Sequence, residues 1–299
     1  ITKVGESNII DGGTHGINGD TIDYNIAEVT KIVLDLDVTH TTDVYSIGIT
    51  NDGTYASIKV NDNNSAIDKI RNIENIKGSG GADTIYGNGE NNTIFGMGGA
   101  DTIYGVGGEN YIDGGAGNDL IYSGTGADQL FGSGGNDTFR ATTAVSFAGD
   151  VIDGGSEYDT SNNFLGRGSD TVDYSLVDTT SFTTEGVKVT LNGSTNATVT
   201  LDALNTHTIR NIENIIGTSH NDSIAGDTGN NTLIGGAGTD TIRAIAGNNV
   251  IYGDSTDYGL NVTTNNDVIY AGTGEDKIYA GGGNDTIYTD IGSDTVYGG

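Results

Sequence analysis

A nine-residue period constrains this chain more than any other feature. Residues 78–140 are 63 residues that divide into seven units of nine. The sixth place of successive units holds Asp83, Asn92, Asp101, Asn110, Asp119, Asp128 and Asp137, and the eighth holds Ile85, Ile94, Ile103, Ile112, Ile121, Leu130 and Phe139. A second array, 217–297, is 81 residues or nine units, with Asp222, Asn231, Asp240, Asn249, Tyr258, Asp267, Asp276, Asp285 and Asp294 at the sixth place. Its eighth place is always aliphatic, from Ile224 to Val296. The stretch 253–261 is degenerate and reads either as a repeat or as a nine-residue loop insertion. Fixed-period self-similarity marks a solenoid, in which each unit buries its apolar residue only against its neighbours.

Composition matters where it separates this solenoid from other classes. The chain has 50 Gly in 299 residues, which without a period would suggest disorder. Recurrence at fixed places argues for order instead. Acids outnumber bases 41 to 12, for a formal charge of -29. Of the acids 32 are Asp and 9 are Glu, a skew towards the short carboxylate that suits turns and oxygen cages. Such acidity repels nucleic acid. There is no Cys, so neither disulfides nor thiolate metal sites arise. No apolar run approaches the ~18 residues of a membrane span. The chain opens in a strand-like segment and stops at Gly298-Gly299, where another unit would begin, so it is read as a piece of a larger protein.

The unit Gly114-Gly115-Ala116-Gly117-Asn118-Asp119-Leu120-Ile121-Tyr122 resembles the G-G-x-G-x-D-x-U-x nonapeptide of the repeats-in-toxin (RTX) family, a motif associated with calcium. Most departures fall at the first two places, as at Ser123, Ala244, Ala271, Ala280 and Thr289. The resemblance implies an all-β fold, a right-handed parallel β-roll (β-solenoid) with strand caps, here duplicated. Six residues of each unit would turn, three would form a short strand, and two units would make one coil.

On that fold, elementary physics predicts a metal site. Strand residues alternate, so the eighth place faces in and the seventh and ninth face out. Sixth-place residues of units i and i+2 stack ~4.8 Å apart. Two carboxylates at that spacing repel, and a hard cation between them reverses the sign. Ca²⁺ favours carboxylate and carbonyl oxygens. The predicted ligands are Asp83, Asp101, Asp119, Asp128, Asp137, Asp222, Asp240, Asp267, Asp276, Asp285 and Asp294. Fourth-place glycines Gly81, Gly99, Gly117, Gly135, Gly238, Gly274, Gly283 and Gly292 would turn carbonyls inward. Asn92, Asn110, Asn231 and Asn249 would form a weaker edge, held partly by amide ladders. Several Ca²⁺ ions are expected.

Longer copies are also visible. Residues 8–13 match 150–155, residues 20–24 match 170–174, and Ile-Arg-Asn-Ile-Glu-Asn-Ile at 70–76 recurs at 209–215. Four regions follow: 1–77 as a loop-rich lead-in and strand-rich cap, 78–140 as the first roll, 141–216 as a second lead-in and cap, and 217–299 as the second roll. The alternating segments 31–38, 45–50, 55–60, 187–191 and 197–201 are expected to cover the open ends of the rolls. Asp20, Asp23, Asp170 and Asp173 read as extra calcium ligands or as surface acids.

No H-E-x-x-H and no G-x-S-x-G occurs, so no enzyme site is expected. His15, His40, His207 and His220 are scattered and read as satisfied or solvated rather than as zinc ligands. The ninth place carries Tyr86, Tyr104, Tyr122, Tyr252, Tyr270, Tyr279, Tyr288 and Tyr297, with Phe95 and Phe131, and Thr is common at the seventh. This outward row reads as cross-strand stacking, as a packing face for another copy or a neighbouring domain, or as a glycan- or ice-binding face. The leading functional expectation is a calcium-dependent structural or adhesive module of a secreted bacterial surface protein, such as an adhesin, a surface layer or a fibre. The alternative is the non-catalytic calcium-binding C-terminal region of a secreted enzyme or toxin. The resemblance further implies an extracellular location reached by type I secretion.

Overall fold

A computed structural model describes residues 9–11, 21–23, 32–35, 56–60, 67–71, 73–143, 146–155, 168–177, 185–201, 205–255 and 265–299. Among them there is no helix; the regular structure is short strands, most of them paired in parallel. The chain divides into two compact units, Ile1–Thr138 with Gly155–Gly168, and Phe139–Gly154 with Ser169–Gly299.

In the first unit the strands Thr84–Tyr86, Thr102–Tyr104 and Leu120–Tyr122 form one face. Thr93–Phe95, Tyr111–Ala116 and Gln129–Gly134 form the other. Register follows the repeat: Ile85 pairs with Ile103, Ile103 with Ile121, Ile94 with Ile112, and Ile112 with Leu130. The chain thus advances one coil every two nonapeptides, as a parallel β-roll. Ile85, Ile94, Ile103, Ile112, Ile121 and Leu130 are fully buried, so the core is one aliphatic side chain per half-coil. In the second unit Ile224, Leu233, Ile242, Ile251, Ile269 and Ile278 repeat the arrangement.

The strand-rich segments do not lie over the end of a roll. They are built into its sheet. In the first unit Ile32–Asp35, Ala56–Val60 and Ile67–Arg71 form an antiparallel meander. Its outer strands pair in parallel with Thr84–Tyr86 on one side and Ile9–Asp11 on the other. In the second, Glu185–Thr190, Ala197–Leu201 and Asn205–Arg210 make the same meander between Asn221–Ala225 and Val151–Asp153. Each meander joins the sheet beside the first nonapeptide of its array. The duplication visible in the sequence is therefore also one of topology. Segment 45–50 and half of 31–38 lie outside the described residues.

Gly117 shows why glycine recurs at the fourth place. Its φ is +137°, and a Cβ there would strike the carbonyl of Gly99 one coil away. A backbone region that suits only glycine thus coincides with a steric block. Gly117→Val is expected to lower the stability of the folded chain by about 2–3 kcal/mol, read as a fall of several degrees in Tm. An unchanged Tm would mean that the coils spread without cost.

Candidate metal centre

Sixth-place residues stack into two files in each unit. In the first unit each carboxylate caps the backbone of the preceding coil: Asp83 N–H donates to Asp101 Oδ1 at 2.7 Å, Asp101 to Asp119 at 2.8 Å, and Asp119 to Asp137 at 2.8 Å. The other file runs from Asn92 to Asn110 Oδ1 at 2.9 Å and from Asn110 to Asp128 Oδ1 at 2.6 Å. In the second unit Asp222 donates to Asp240 at 2.7 Å, Asp240 to Asp267 at 2.8 Å and Asp267 to Asp285 at 2.9 Å. Its companion file is Asn231, Asn249, Asp276 and Asp294, linked at 2.8, 2.7 and 3.0 Å.

One step in each second-unit file spans 27 residues rather than 18. Ile242 pairs with Ile269 and Ile251 with Ile278, so nine residues of this stretch are an insertion rather than a repeat. Gly253 and Asp254 remain in the turn, and the coil resumes at Asn265, whose carbonyl lies against Gly283. This phase puts Asp267 and Asp285 on the all-Asp edge, with Asp276 and Asp294 on the Asn edge.

The ladder uses only one oxygen of each carboxylate. The second, Oδ2, is buried without a hydrogen-bond partner in Asp101, Asp119, Asp240, Asp267, Asp276 and Asp285. First-place glycines crowd these atoms: a Cβ on Gly96, Gly114 or Gly235 would strike Oδ2 of Asp101, Asp119 or Asp240. For Gly96 and Gly235 it would also strike the first-place carbonyl of the next coil. The orphan oxygens of Asp101 and Asp240 therefore point towards stacked turns whose carbonyls lie close by. An unsatisfied buried carboxylate oxygen is costly unless a proton or a cation meets it. Burial pushes Asp101 up to about 8; the N–H of Asp83 opposes the rise, and the charges of Asp119 and Asp83 add to it. Burial also lifts Asp240 to about 9, and Asp137, Asp222 and Asp267 to about 7. Asp119 and Asp128 rise to about 6 for the same reason.

The chemistry fits a hard cation. The donors are carboxylate and peptide oxygens, and the local charge is negative and desolvated. Among the described residues no three His, Cys, Asp or Glu side chains converge. A cation between coils would therefore draw much of its oxygen shell from turn carbonyls. Of the fourth-place glycines, Gly99, Gly117, Gly135, Gly238, Gly274 and Gly283 have φ between +101° and +142°. Gly81 and Gly292 are not in that region.

The files are not uniform. At the start of each array a second-place hydroxyl residue satisfies the first Asp. Ser79 donates its N–H to Asp83 Oδ2 at 2.6 Å and its hydroxyl to Oδ1 at 2.8 Å. Thr218 does the same for Asp222 at 2.7 and 3.0 Å. On the Asn edge, amide donors take turn carbonyls. Asn110 Nδ2 donates to Gly107 O at 3.1 Å, and Asn249 Nδ2 to Ala246 O and Gly247 O at 3.1 Å.

Some of the site escapes the sequence pattern. Glu213 occupies a sixth place outside the arrays: Asn214 pairs with Thr171 and Thr232, and Asp170 N–H donates to Glu213 Oε2 at 2.8 Å. Glu74 stands equivalently, with Asn75 paired to Thr93. A signal for both exists, since each Glu precedes an Asn-Ile-x triplet that ends at a first-place glycine. Fifth-place Asn residues form an exposed ladder of opposite polarity, as where Asn136 N–H donates to Asn118 Oδ1 at 2.9 Å. Asp173 is buried and meets Arg140 at 2.7 Å, while Asp153 meets Arg210 at 2.7 Å, so guanidinium supplies the positive charge at both carboxylates. Asp23 is half-exposed and 3.6 Å from Lys77; Asp20, His15 and His40 lie outside the described residues. His207 is buried, with Tyr174 Oη 2.7 Å from its Nε2, and burial lowers it to about 3. His220 sits in a turn, its N–H bonded to Thr218 Oγ1 at 3.0 Å.

The RTX calcium-binding nonapeptide repeat profile matches four times, at residues 77–110, 104–139, 216–251 and 262–296. This chain carries RTX calcium-binding nonapeptide repeats. No curated protein matches it. RTX nonapeptide repeats bind calcium, and the four matches cover the stretches in which Oδ2 of Asp101, Asp119, Asp240, Asp267, Asp276 and Asp285 is left unpartnered. The break between the last two matches falls on the insertion that the 27-residue steps reveal. The profile does not reach Asp170 or Glu213, although both stand in the sixth-place column of the RTX roll.

Proposed function

We propose that this RTX chain is a calcium-dependent structural and adhesive module of a large secreted bacterial surface protein, and that it folds when it meets calcium outside the cell. The observation that carries the calcium reading is the row of buried Oδ2 atoms without partners along the all-Asp edges. The ions would be held by Asp101, Asp119 and Asp137 in one unit and by Asp240, Asp267 and Asp285 in the other, together with turn carbonyls. Asp128, Asp276 and Asp294 would serve the mixed edges more weakly. Calcium supplies charge neutralisation and ties adjacent coils together through oxygen ligands. Each unit couples a lead-in, an in-sheet meander and a roll, and a tandem pair of such bodies suits a repetitive surface scaffold. Stacked tyrosines run along both: Tyr86, Tyr104 and Tyr122 at 4.4 and 4.5 Å, and Tyr252, Tyr279 and Tyr297 at 4.8 Å; Tyr86 is buried, and the part-exposed rings from Tyr104 and Tyr252 onward give a flat aromatic face for contact with other copies or neighbouring domains.

The experiment is calcium stoichiometry by chelator-competition titration, with sizing of the loaded chain. Asp240→Asn is expected to weaken calcium binding on the all-Asp edge by about tenfold or more, and Asn249→Asp to strengthen it on the mixed edge. Equal binding by both edges, or no calcium bound, would sink the file reading. Calcium-dependent assembly supports the surface role. A loaded chain that stays monomeric favours a calcium-binding region of a secreted enzyme or toxin instead.

A further inference from the structure

We propose that Asp113 and Asp254 each add a carboxylate to one inter-coil cation site on the all-Asp edge of their unit, making that site the tightest of its file. The inference rests on the calcium reading above and extends it to residues outside the sixth place. Asp113 stands ninth in its nonapeptide, where neighbouring units carry Tyr104 and Tyr122. Asp254 stands second, where glycine is common and where Thr218 and Gly236 stand in the preceding coils.

Asp254 is 5% exposed and its Oδ2 accepts from Gly282 N–H at 2.7 Å. A Cβ on Gly281 would strike that carboxylate. A Cβ on Gly253 would lie 2.6 Å from Asp267 Oδ2 and hard against the carbonyl of Ala280. Asp254 and Asp267 therefore reach the same stacked pair of turns, Gly253-Asp254 and Ala280-Gly281. Asp267 is 1% exposed, and its Oδ2, aimed at this pair, has no hydrogen-bond partner.

Asp113 reaches an equivalent place from another position. Its Oδ1 accepts from Ser133 Oγ at 2.8 Å, in the turn that leads to Asp137. The next residue, Gly114, has Asp119 Oδ2 pressed against the place its Cβ would take. That oxygen is also unpartnered, on a residue 2% exposed. A turn-capping role alone would be met by Asn or Ser. Placing a further negative charge at a turn that already holds a buried, unpartnered carboxylate oxygen is unfavourable without a cation, and cation affinity rises with the charge of its ligands.

The test uses the full chain, with calcium as the probe and chelator competition as the readout. Asp113→Asn and Asp254→Asn keep one acceptor oxygen for Ser133 or Gly282, remove the charge and turn the second oxygen into an amide donor. The wild type is expected to show a tight class of one ion per unit. Each variant should weaken one of those ions by about tenfold or more, leaving the others unchanged. Asp290→Asn, at an exposed second-place acid, should change nothing. Binding is normalised to the fraction folded at saturating calcium, and Asp254→Ser repeats the measurement with a different acceptor. Unchanged isotherms for both sites, or an equal loss from Asp290→Asn, would overturn the inference. A wild type that binds no calcium would instead overturn the functional reading on which it stands.

Discussion

Withdrawing calcium at pH 7.5 should unfold both rolls, with loss of far-ultraviolet β signal and of amide protection. The core is one aliphatic side chain per half-coil, from Ile85 to Leu130 in one unit and from Ile224 to Ile278 in the other, which is little apolar burial against the entropy of ordering so many glycines. Formal charge adds self-repulsion at -29. Each ion at ~100 times its Kd contributes ~2.7 kcal/mol, so four ions contribute about 11 kcal/mol, as much as the whole stability of a typical domain. Magnesium should not substitute, because it requires near-octahedral geometry and holds its water tightly, whereas calcium accepts a looser shell of carboxylates and carbonyls. The measurement is circular dichroism and hydrogen exchange across a calcium titration, with magnesium as control. A chain equally folded in chelator would mean that the Asp files are satisfied without an ion.

Acid should partly replace calcium. In the ion-free roll Asp101 titrates at about 8 and Asp240 at about 9, against the 3.8 of an exposed carboxyl. Between those values the folded state binds more protons than the unfolded chain, so its stability rises as pH falls. The gain is complete below about 4 and is lost as pH climbs through 7 to 9, where Asp137, Asp222 and Asp267 also ionise. Summed over these carboxyls the effect is on the order of several kcal/mol. In chelator the chain should therefore gain β structure on going from pH 8 to pH 5. In calcium the trend should reverse, because protons compete with the ion for the same oxygens. Dichroism against pH in the two buffers checks this. An ion-free chain that loses structure steadily from pH 8 to pH 5 would show that burial of these carboxyls is not what opposes folding.

Guanidinium groups satisfy ninth-place carboxylates of the second lead-in without a metal ion: Arg140 meets Asp173 and Arg210 meets Asp153. The closed hydrogen bonds of Ser79 and Thr218 serve the same end at the first Asp of each array. The ion-dependent stretch thus begins one coil into each roll.

Much of this molecule is legible in its amino-acid sequence. The nine-residue period determined which residue of each unit faces inward, because strand side chains alternate and one apolar place recurs without exception. It also determined that sixth-place residues stack, and the contrast of Asp83, Asp101 and Asp119 with Asn92 and Asn110 separated the two edges. The copies at 70–76 and 209–215 announced the duplication. Tertiary structure decided what depends on hydrogen bonding between distant strands. The meanders joined the sheets instead of covering a roll, because Leu34 and Val189 continue the register of Ile85 and Ile224. The phase across the insertion, which sends Asp267 to the all-Asp edge, is set by Ile242 meeting Ile269, a pairing no local pattern contains. The left-handed backbone of Val106 and Ile245, at φ +71°, is imposed by the coils above and below against the preference of those residues. Period and alternation are local properties that a sequence carries; register and the meeting of charges across coils are properties of the stack.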